Sequence, residues 1–373
     1  MDFALTDEQQ TVVDLAEQIL SGQLTPERFK EVEASEDRFD RRLWTELAKA
    51  GLLGVSLPSG YGGADLDFMA TALLGEQIGR AAAPVPFLPT VALGALPIAQ
   101  FGSDELKAAT LPAVASGELV LTAALVEPGT DPRAPSTSAR PDGSAWRLDG
   151  AKTCVPAGWI AGRILVPART GEGTVGVFVV DPAAPGVTLT RLRTTTGNAE
   201  AMVDLAGVAV GAPDVLGSGS DGAEIVDWMV AHNTSAMCSV MAGAAKQVVA
   251  LTASYTKTRE QFDRQIATFQ AVAQRAADAY VDAEAIHLTA RQAAWRLSQH
   301  LPAVEEVAIA KFWAAEGGQR VVHAAQHLHG GMGVDRDYPL HRYFLLAKEL
   351  ELSLGGTTAQ LLKLGNVLAT QPV

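Results

Sequence analysis

The sequence predicts an α+β chain with segregated layers: an N-terminal helical domain (residues 1–118), a middle antiparallel β domain (119–218) and a C-terminal four-helix-bundle domain (219–373). Three observations predict it. Apolar residues recur at helical spacing at both ends of the chain. The middle consists of short Val-, Leu- and Thr-rich runs separated by Gly, Pro and Asp. Nowhere do strand-like and helix-like stretches alternate as a βαβ nucleotide fold requires.

At the front, Thr6 can cap a helix through EQQTVVDLAEQIL, and FDRRLWTELAKAGLLG carries Leu43, Leu47 and Leu52 at roughly helical spacing. A turn follows at Pro58, Gly60, Gly62 and Gly63, then a helix over FMATALLGEQIGRAAA that runs to a Pro-rich break beginning at Pro84. From about Val120 the runs VLTAALV, WRLDGAKTCV, GRILVPA, VGVFVVD, GVTLTRL and AMVDLAGVAV read as strands. From about Asp221 the helical period returns. Met237, Val240, Met241, Ala244, Val248 and Leu251 mark one face of a long helix, and three more helical stretches follow.

With 373 residues, 48% of them hydrophobic and 19% charged, the chain has material for two or three packed domains. A formal charge of -13 works against binding phosphate backbones or anionic lipid, so neither nucleic acid nor a membrane is expected as a partner. Cys154 and Cys238 have neither metal-ligand nor disulfide-framework spacing and suit a reducing compartment, as small apolar fillers; no metal site is expected. The acidic start MDFALTDEQQ has no signal-peptide pattern, and Pro86, Pro89 and Pro97 break the longest apolar run short of membrane-spanning length. The expected location is the cytoplasm.

Two stretches could carry chemistry. REQFDRQIATFQ holds Arg259, Phe262, Ile266, Phe269 and Gln270; alone, such an Arg is a solvated or dipole-pairing residue and the two Phe are core. Some sixty residues on, HLHGGMGVDRDYPLHRYF places Gly330, Gly331 and Gly333 where a backbone can approach a ligand closely, or simply turn between helices. A cationic fork and a Gly-rich turn together can seat a pyrophosphate.

These motifs, with LPSGYGG (57–63), FGSDELKAATLPAVASGE (101–118), VEPGTDP, LDGAKTCV and LGGTTAQ (354–360), occur in the order seen in the acyl-CoA dehydrogenase family, which the chain resembles over almost its whole length. The resemblance implies FAD and α,β-desaturation of an acyl-CoA thioester, in which a carboxylate takes the α-proton while a hydride leaves the β-carbon. In many members that carboxylate is a Glu directly before the Gly-Thr of the C-terminal segment; the matching residue is Gly355. A second group of members places it on the first long helix of the back half, and counting back from Arg259 gives Asn233, beside Thr234. Neither can accept the proton. Glu351 shares the face of Gly355 on a helix but stands about 6 Å away along its axis. His232 points about 100° around the helix from Asn233. The catalytic set is therefore read as empty, with Glu351 as the substitute to test.

The same resemblance puts Cys154 and Pro156 where members carry the Trp and the Ser or Thr that meet the flavin ring. VEPGTDP keeps Glu127 and Pro128 but has Val126 at a usual hydroxyl position and is shortened. The motifs that members offer across a subunit interface are largely kept: Arg259, Phe262, Gln270, Gly330 and Gly331 would meet the adenosine and pyrophosphate half of an FAD whose ring lies in the neighbouring subunit. His327 stands for the usual Gln, and Asp263 for the usual Gly. This pattern resembles the non-catalytic subunit of actinobacterial α2β2 acyl-CoA dehydrogenases that act on steroid side-chain CoA thioesters. It implies a catalytic partner subunit, a shared FAD and an acyl-CoA substrate. Two alternatives stay open: a self-sufficient homo-oligomeric dehydrogenase with a relocated base, and a structural or acyl-CoA-binding relic without flavin.

Overall fold

A computed structural model describes residues 4–370; Met1–Phe3, part of the acidic start read above, and Gln371–Val373 lie outside the described residues. The chain forms two compact units interleaved in sequence. Among the described residues a helical unit takes 4–29, Phe68–Ala83 and 234–370, and a sheet unit takes Lys30–Asp67 and Pro84–Asn233.

Helix α1 (Asp7–Gln23) starts as its sequence demands. Thr6 accepts from the Gln9 amide, and the Gln9 side chain accepts from the Thr6 amide, satisfying two end donors reciprocally. Helix α2 (Pro26–Ala34) follows. Asp40 caps α3 (Arg41–Lys49) through the Leu43 amide at 3.0 Å, and α3 buries Leu43, Trp44 and Leu47. Helix α4 is Phe68–Ala81.

The Pro-rich break is shorter than the sequence suggests. A wide, π-type helical stretch at Leu88–Ala95 leads into α5 (Leu96–Phe101), and α6 (Asp104–Ala115) follows. Pro89 sits within the first two positions of its helical segment, where a missing N–H leaves no bond unmade, so it starts a helix instead of breaking one, and Pro97 is carried inside the continuous run at the change from π to α spacing.

All six runs read as strands carry one: β1 (Leu121–Ala123), β3 (Ala145–Val155), β4 (Arg163–Gly171), β5 (Thr174–Val180), β6 (Val187–Arg191) and β7 (Ala201–Gly211), with β2 (Ser138–Asp142) and β8 (Val215–Leu216) besides. Along the sheet the order is β6-β7-β3-β2-β4-β5-β8. The pairings are antiparallel except at β4, which β1 and the single pair Ser138–Arg169 of β2 meet in parallel.

One buried ion pair fixes the loop between β1 and β2. Lys152 on β3 meets Glu127 at 2.5 Å with both side chains essentially dry, and the Glu127 carboxylate also accepts from the Ser136 amide at 2.7 Å, the Ser136 hydroxyl and the Thr137 amide at 3.1 Å. Burial opposes ionisation of both partners. These converging donors, led by Lys152, nevertheless hold the Glu127 carboxyl at about 2.

The helical unit is built on α7 (Gly222–Thr258), whose start belongs to the sheet unit, then α8 (Gln270–Ser298), α9 (Val304–His329), α10 (Leu340–Leu352) and α11 (Thr357–Thr370). Strands β9 (Glu260–Gln261) and β10 (Arg264–Gln265) make a small hairpin between α7 and α8. Helices α8, α10 and α11 pack on α9, and α7 joins them through Lys246 beside His287 of α8 and Met241 against Gly318 of α9. Contrary to the sequence reading, α7 contains an apolar window long enough to cross a membrane. That window is 67% buried inside the protein, which marks a core helix.

Helices α4 and α7 cross with backbone against backbone. A Cβ on Gly79 would lie 1.8 Å from the Val240 carbonyl oxygen, and one on Gly243 1.8 Å from that of Glu76. Beside this crossing, Glu76 of α4 receives Lys246 of α7 at 3.0 Å and Arg291 of α8 at 3.1 Å, with His287 at 3.4 Å.

Two outcomes are expected. Gly79→Ala or Gly243→Ala must push the helices apart and should destabilise the protein by at least about 1–3 kcal/mol, read as a lower urea midpoint. Glu127→Gln should cost about 3–5 kcal/mol at neutral pH by stranding the Lys152 ammonium. Because the Glu127 carboxyl is lowered from 4.5 to about 2, its contribution is complete above the ordinary value and is lost as pH falls between the two. The variant's stability should therefore fall less steeply across that acid range.

Candidate functional site

The residues read as cofactor-binding come together at one end of the helical unit. Tyr255, one turn before Arg259, stacks on His329 at 4.4 Å between ring centroids, and its hydroxyl donates to the His329 carbonyl at 3.4 Å. This docks the end of α7 against the end of α9, and Gly330 follows immediately with φ +58°. Helices α8 and α9 run antiparallel: Asp282 meets Arg320 at 2.6 Å, and Gly317 lies against Ile286. Extending that register brings the first turn of α8, with Gln270, level with Gly330 and Gly331, and the second turn level with His327.

His329 itself is a strut. Its Nδ1 lies 2.8 Å from the Ala325 carbonyl and so carries the proton, and its Nε2 accepts from the Tyr338 hydroxyl at 3.1 Å. Burial holds its pKa down, keeping the ring neutral. No periodicity along the chain signals this strut, because Tyr255 lies in another helix and Tyr338 in a turn.

Arg259, Phe262, Gln270, His327, Gly330 and Gly331 are all exposed. Phe262 is 87% exposed, which removes the core reading offered for it. A Cβ at Gly330 or Gly331 would meet nothing within 4 Å, and Arg259, one turn beyond the Tyr255–His329 stack, is exposed. This end fits a diphosphate, which needs charge-assisted donors and unobstructed amides.

The two seats for a base are of a different kind. Gly355 lies in the turn between α10 and α11 with φ +90°, and a Cβ there would stand 3.0 Å from that of Ala359. The buried Gln360 amide donates to the carbonyls of Leu354 and Gly355, both at 3.1 Å. Lys311, almost wholly buried on α9, donates to the carbonyls of Leu350 and Glu351 at 2.5 and 3.0 Å, capping α10 just before the turn. Thr357 donates to Glu316 at 3.2 Å from the other side. The turn is thus built and rigid, yet it presents no carboxylate. Glu351 is engaged by Lys348 at 2.6 Å.

The other seat, Asn233, is buried on α7. Its neighbour His232 is stacked on Trp228 at 3.6 Å, with Nδ1 2.9 Å from the Trp228 carbonyl, and is committed to packing.

The strand facing the expected flavin ring is also altered. Its pairing with β7 is irregular between Lys152 and Val155, and Cys154, exposed rather than a buried filler, takes φ +48°. Cys238 is the buried filler, its thiol pushed up to about 12 by burial. Cys154 at the irregularity and Pro156 two residues on carry neither the aromatic ring nor the hydroxyl that the resemblance calls for at these positions. Among the described residues no group of three or more His, Cys, Asp or Glu is placed to hold a metal ion.

Comparison with known proteins gives the same family for every part of the chain. Acyl-CoA dehydrogenase domain models match in order: N-terminal at residues 6–118, middle at 123–205 and C-terminal at 220–368. The chain is 40% identical over 381 residues to acyl-CoA dehydrogenase FadE27 of Mycobacterium tuberculosis, covering 100% of both proteins, and 33% identical to FadE28 of the same organism, covering 98% of both. Among solved structures it is similar to a chain of the ChsE4-ChsE5 complex from Mycobacterium tuberculosis, with 40% identity, a TM-score of 0.94 and 100% coverage of both chains. It is also similar to a chain of a variant of the Tcur3481-Tcur3483 steroid ACAD, with 42% identity, a TM-score of 0.91 and coverage of 97% of this chain and 98% of that one. Similarity of this extent, over helices, sheet and bundle alike, shows that the chain belongs to the acyl-CoA dehydrogenase family.

Proposed function

We propose that this chain is the base-less subunit of a heteromeric, FAD-dependent acyl-CoA dehydrogenase and completes the cofactor site of a partner subunit that carries the catalytic glutamate. The observation that carries the reading is the turn at Gly355: rigid, glycine-specific by its positive φ, and lacking the carboxylate that α-proton abstraction requires. Beside it stands the opposite finding at the α7–α9 end, where groups suited to a diphosphate are open to a second chain.

In this reading Arg259 supplies a charge-assisted donor to the diphosphate, the backbone at Gly330 and Gly331 approaches it without a Cβ, and Gln270 and His327 contribute polar contacts at its edge. Phe262 lies against the adenosine side. FAD, when bound, supplies the hydride acceptor; the partner's carboxylate takes the α-proton, and this chain's task is to hold the far half of the cofactor. An α2β2 arrangement accommodates two such pairs. The steroid acyl-CoA dehydrogenase among the structural relatives makes a steroid side-chain CoA thioester the first substrate to test. Two free cysteines, one buried with a raised pKa, suit a reducing cytoplasm as the location.

A relocated base is disfavoured because Glu351, its candidate, is held by Lys348. A relic without flavin contact leaves the exposed Arg259 and the open glycine turn without a use.

Purified alone with excess FAD, the chain should be colourless and inactive in an acyl-CoA-driven dye-reduction assay. Mixed with a glutamate-bearing acyl-CoA dehydrogenase subunit, it should give a yellow, active complex. In that complex Arg259→Ala should weaken FAD retention about 10- to 150-fold, the loss of a hydrogen bond to a charged group worth about 1.5–3 kcal/mol. Bound flavin and turnover in the chain alone would overturn the proposal, and abolition of that turnover by Glu351→Gln would identify the relocated base.

A further inference from the structure

Beside the α4–α7 crossing lies a cavity that leaves about 10 Å³ for the centre of a water molecule. Small side chains, Ala242 of α7 and Ala290 of α8 among them, leave the space. Glu76, Ser239, His287 and Arg291 supply its polar wall.

The hydrogen bonds of that wall can be counted. Glu76 takes Lys246 at 3.0 Å on Oε1 and Nη2 of Arg291 at 3.1 Å on Oε2. Lys246 also donates to His287 Nε2 at 3.2 Å, which puts the ring proton on Nδ1, 3.4 Å from Glu76 Oε1. The Ser239 hydroxyl donates to the Ser235 carbonyl at 3.2 Å and keeps lone pairs to spare. One donor is left over. Arg291 meets the carboxylate through a single corner of its guanidinium, and its Nε, shielded from solvent, has no partner among the described residues. A buried N–H on a charged group is costly to leave unmet.

A cavity walled by carbon alone stays dry, whereas one with two to four polar neighbours holds water. A small anion could also meet a guanidinium N–H, but here it would share the space with the Glu76 carboxylate, which stays ionised at about 2 despite burial through His287, Lys246 and Arg291. The surplus positive charge of the cluster sits on Lys246, whose side chain is 36% exposed and reaches solvent.

We propose that this cavity is a hydration site for one water molecule, which accepts from Arg291 Nε and donates to the Ser239 hydroxyl oxygen and to the Glu76 carboxylate. Three bonds are the usual number for a buried water. These three join α8, α7 and α4 where the backbones of α4 and α7 touch, so the gap left by the glycine crossing becomes a polar link between three helices. The site needs neither cofactor nor partner chain.

The deciding measurement is a crystal structure of the full-length chain at a resolution that shows ordered water, from crystals soaked in sodium bromide. The expected result is density for one atom about 2.7–3.2 Å from both Arg291 Nε and Ser239 Oγ, with no bromine anomalous signal. An empty cavity would overturn the proposal, and a bromine peak would overturn it in favour of a halide site. In Ser239→Ala, which removes one bonding partner without adding bulk, that density should weaken or vanish; full occupancy at an unchanged place would overturn the assigned bonds. Ala290→Val puts methyl groups into the cavity. By displacing the water and stranding the Arg291 N–H it should lower the folded-to-unfolded ratio about 5- to 150-fold, read as a lower urea midpoint. Filling a dry cavity has the opposite sign, so a raised midpoint would also sink the idea.

Discussion

The helical unit depends on a crossing that leaves no room for side chains. At Gly79 and Gly243 the backbones of α4 and α7 meet directly, each glycine against a carbonyl of the other helix. That closeness puts Glu76 within reach of Lys246, Arg291 and His287, and their combined pull overrides burial to hold its carboxyl at about 2. One anion thereby ties three helices at the level of the crossing. With α7 fixed there, its far end docks on α9 through Tyr255 and His329.

The turn that would carry the base shows how structure and chemistry can separate. Lys311 and Gln360 commit a buried ammonium and a buried amide to the carbonyls around Gly355, and the Thr357 hydroxyl donates to Glu316. Those bonds position a backbone and not a reacting group. The segment is held in place by buried donors, and at Gly355 it offers no side chain of its own.

Much of this is legible in the sequence and some is not, for identifiable reasons. Helices α1 and α3 announce themselves through Thr6, Gln9 and Asp40, because caps are local. The candidate cofactor residues can be found because each lies in a short string with its own spacing. Strand β2 escapes notice because SARPD has no alternation and contains Pro141, and it exists because β3 pairs with it along its length. The helical stretch after Pro84 is hidden because proline reads as a breaker unless its position within the first turn is known. Glu127–Lys152, the Glu76 cluster and the His329 strut join residues from different elements, and no periodicity records such partners. Phe262 reads as core by its hydrophobicity alone, whereas the hairpin that carries it turns it outward.

The positive φ at Gly355 also bears on how this subunit could change over time. A glutamate introduced at that position would enter a left-handed backbone, crowd Ala359 and meet the amide of Gln360. Regaining a base would take a substitution and a rebuilt turn together, and neither step alone brings a gain. Such a position works as a ratchet: a turn settled around a glycine resists single replacements by a larger side chain.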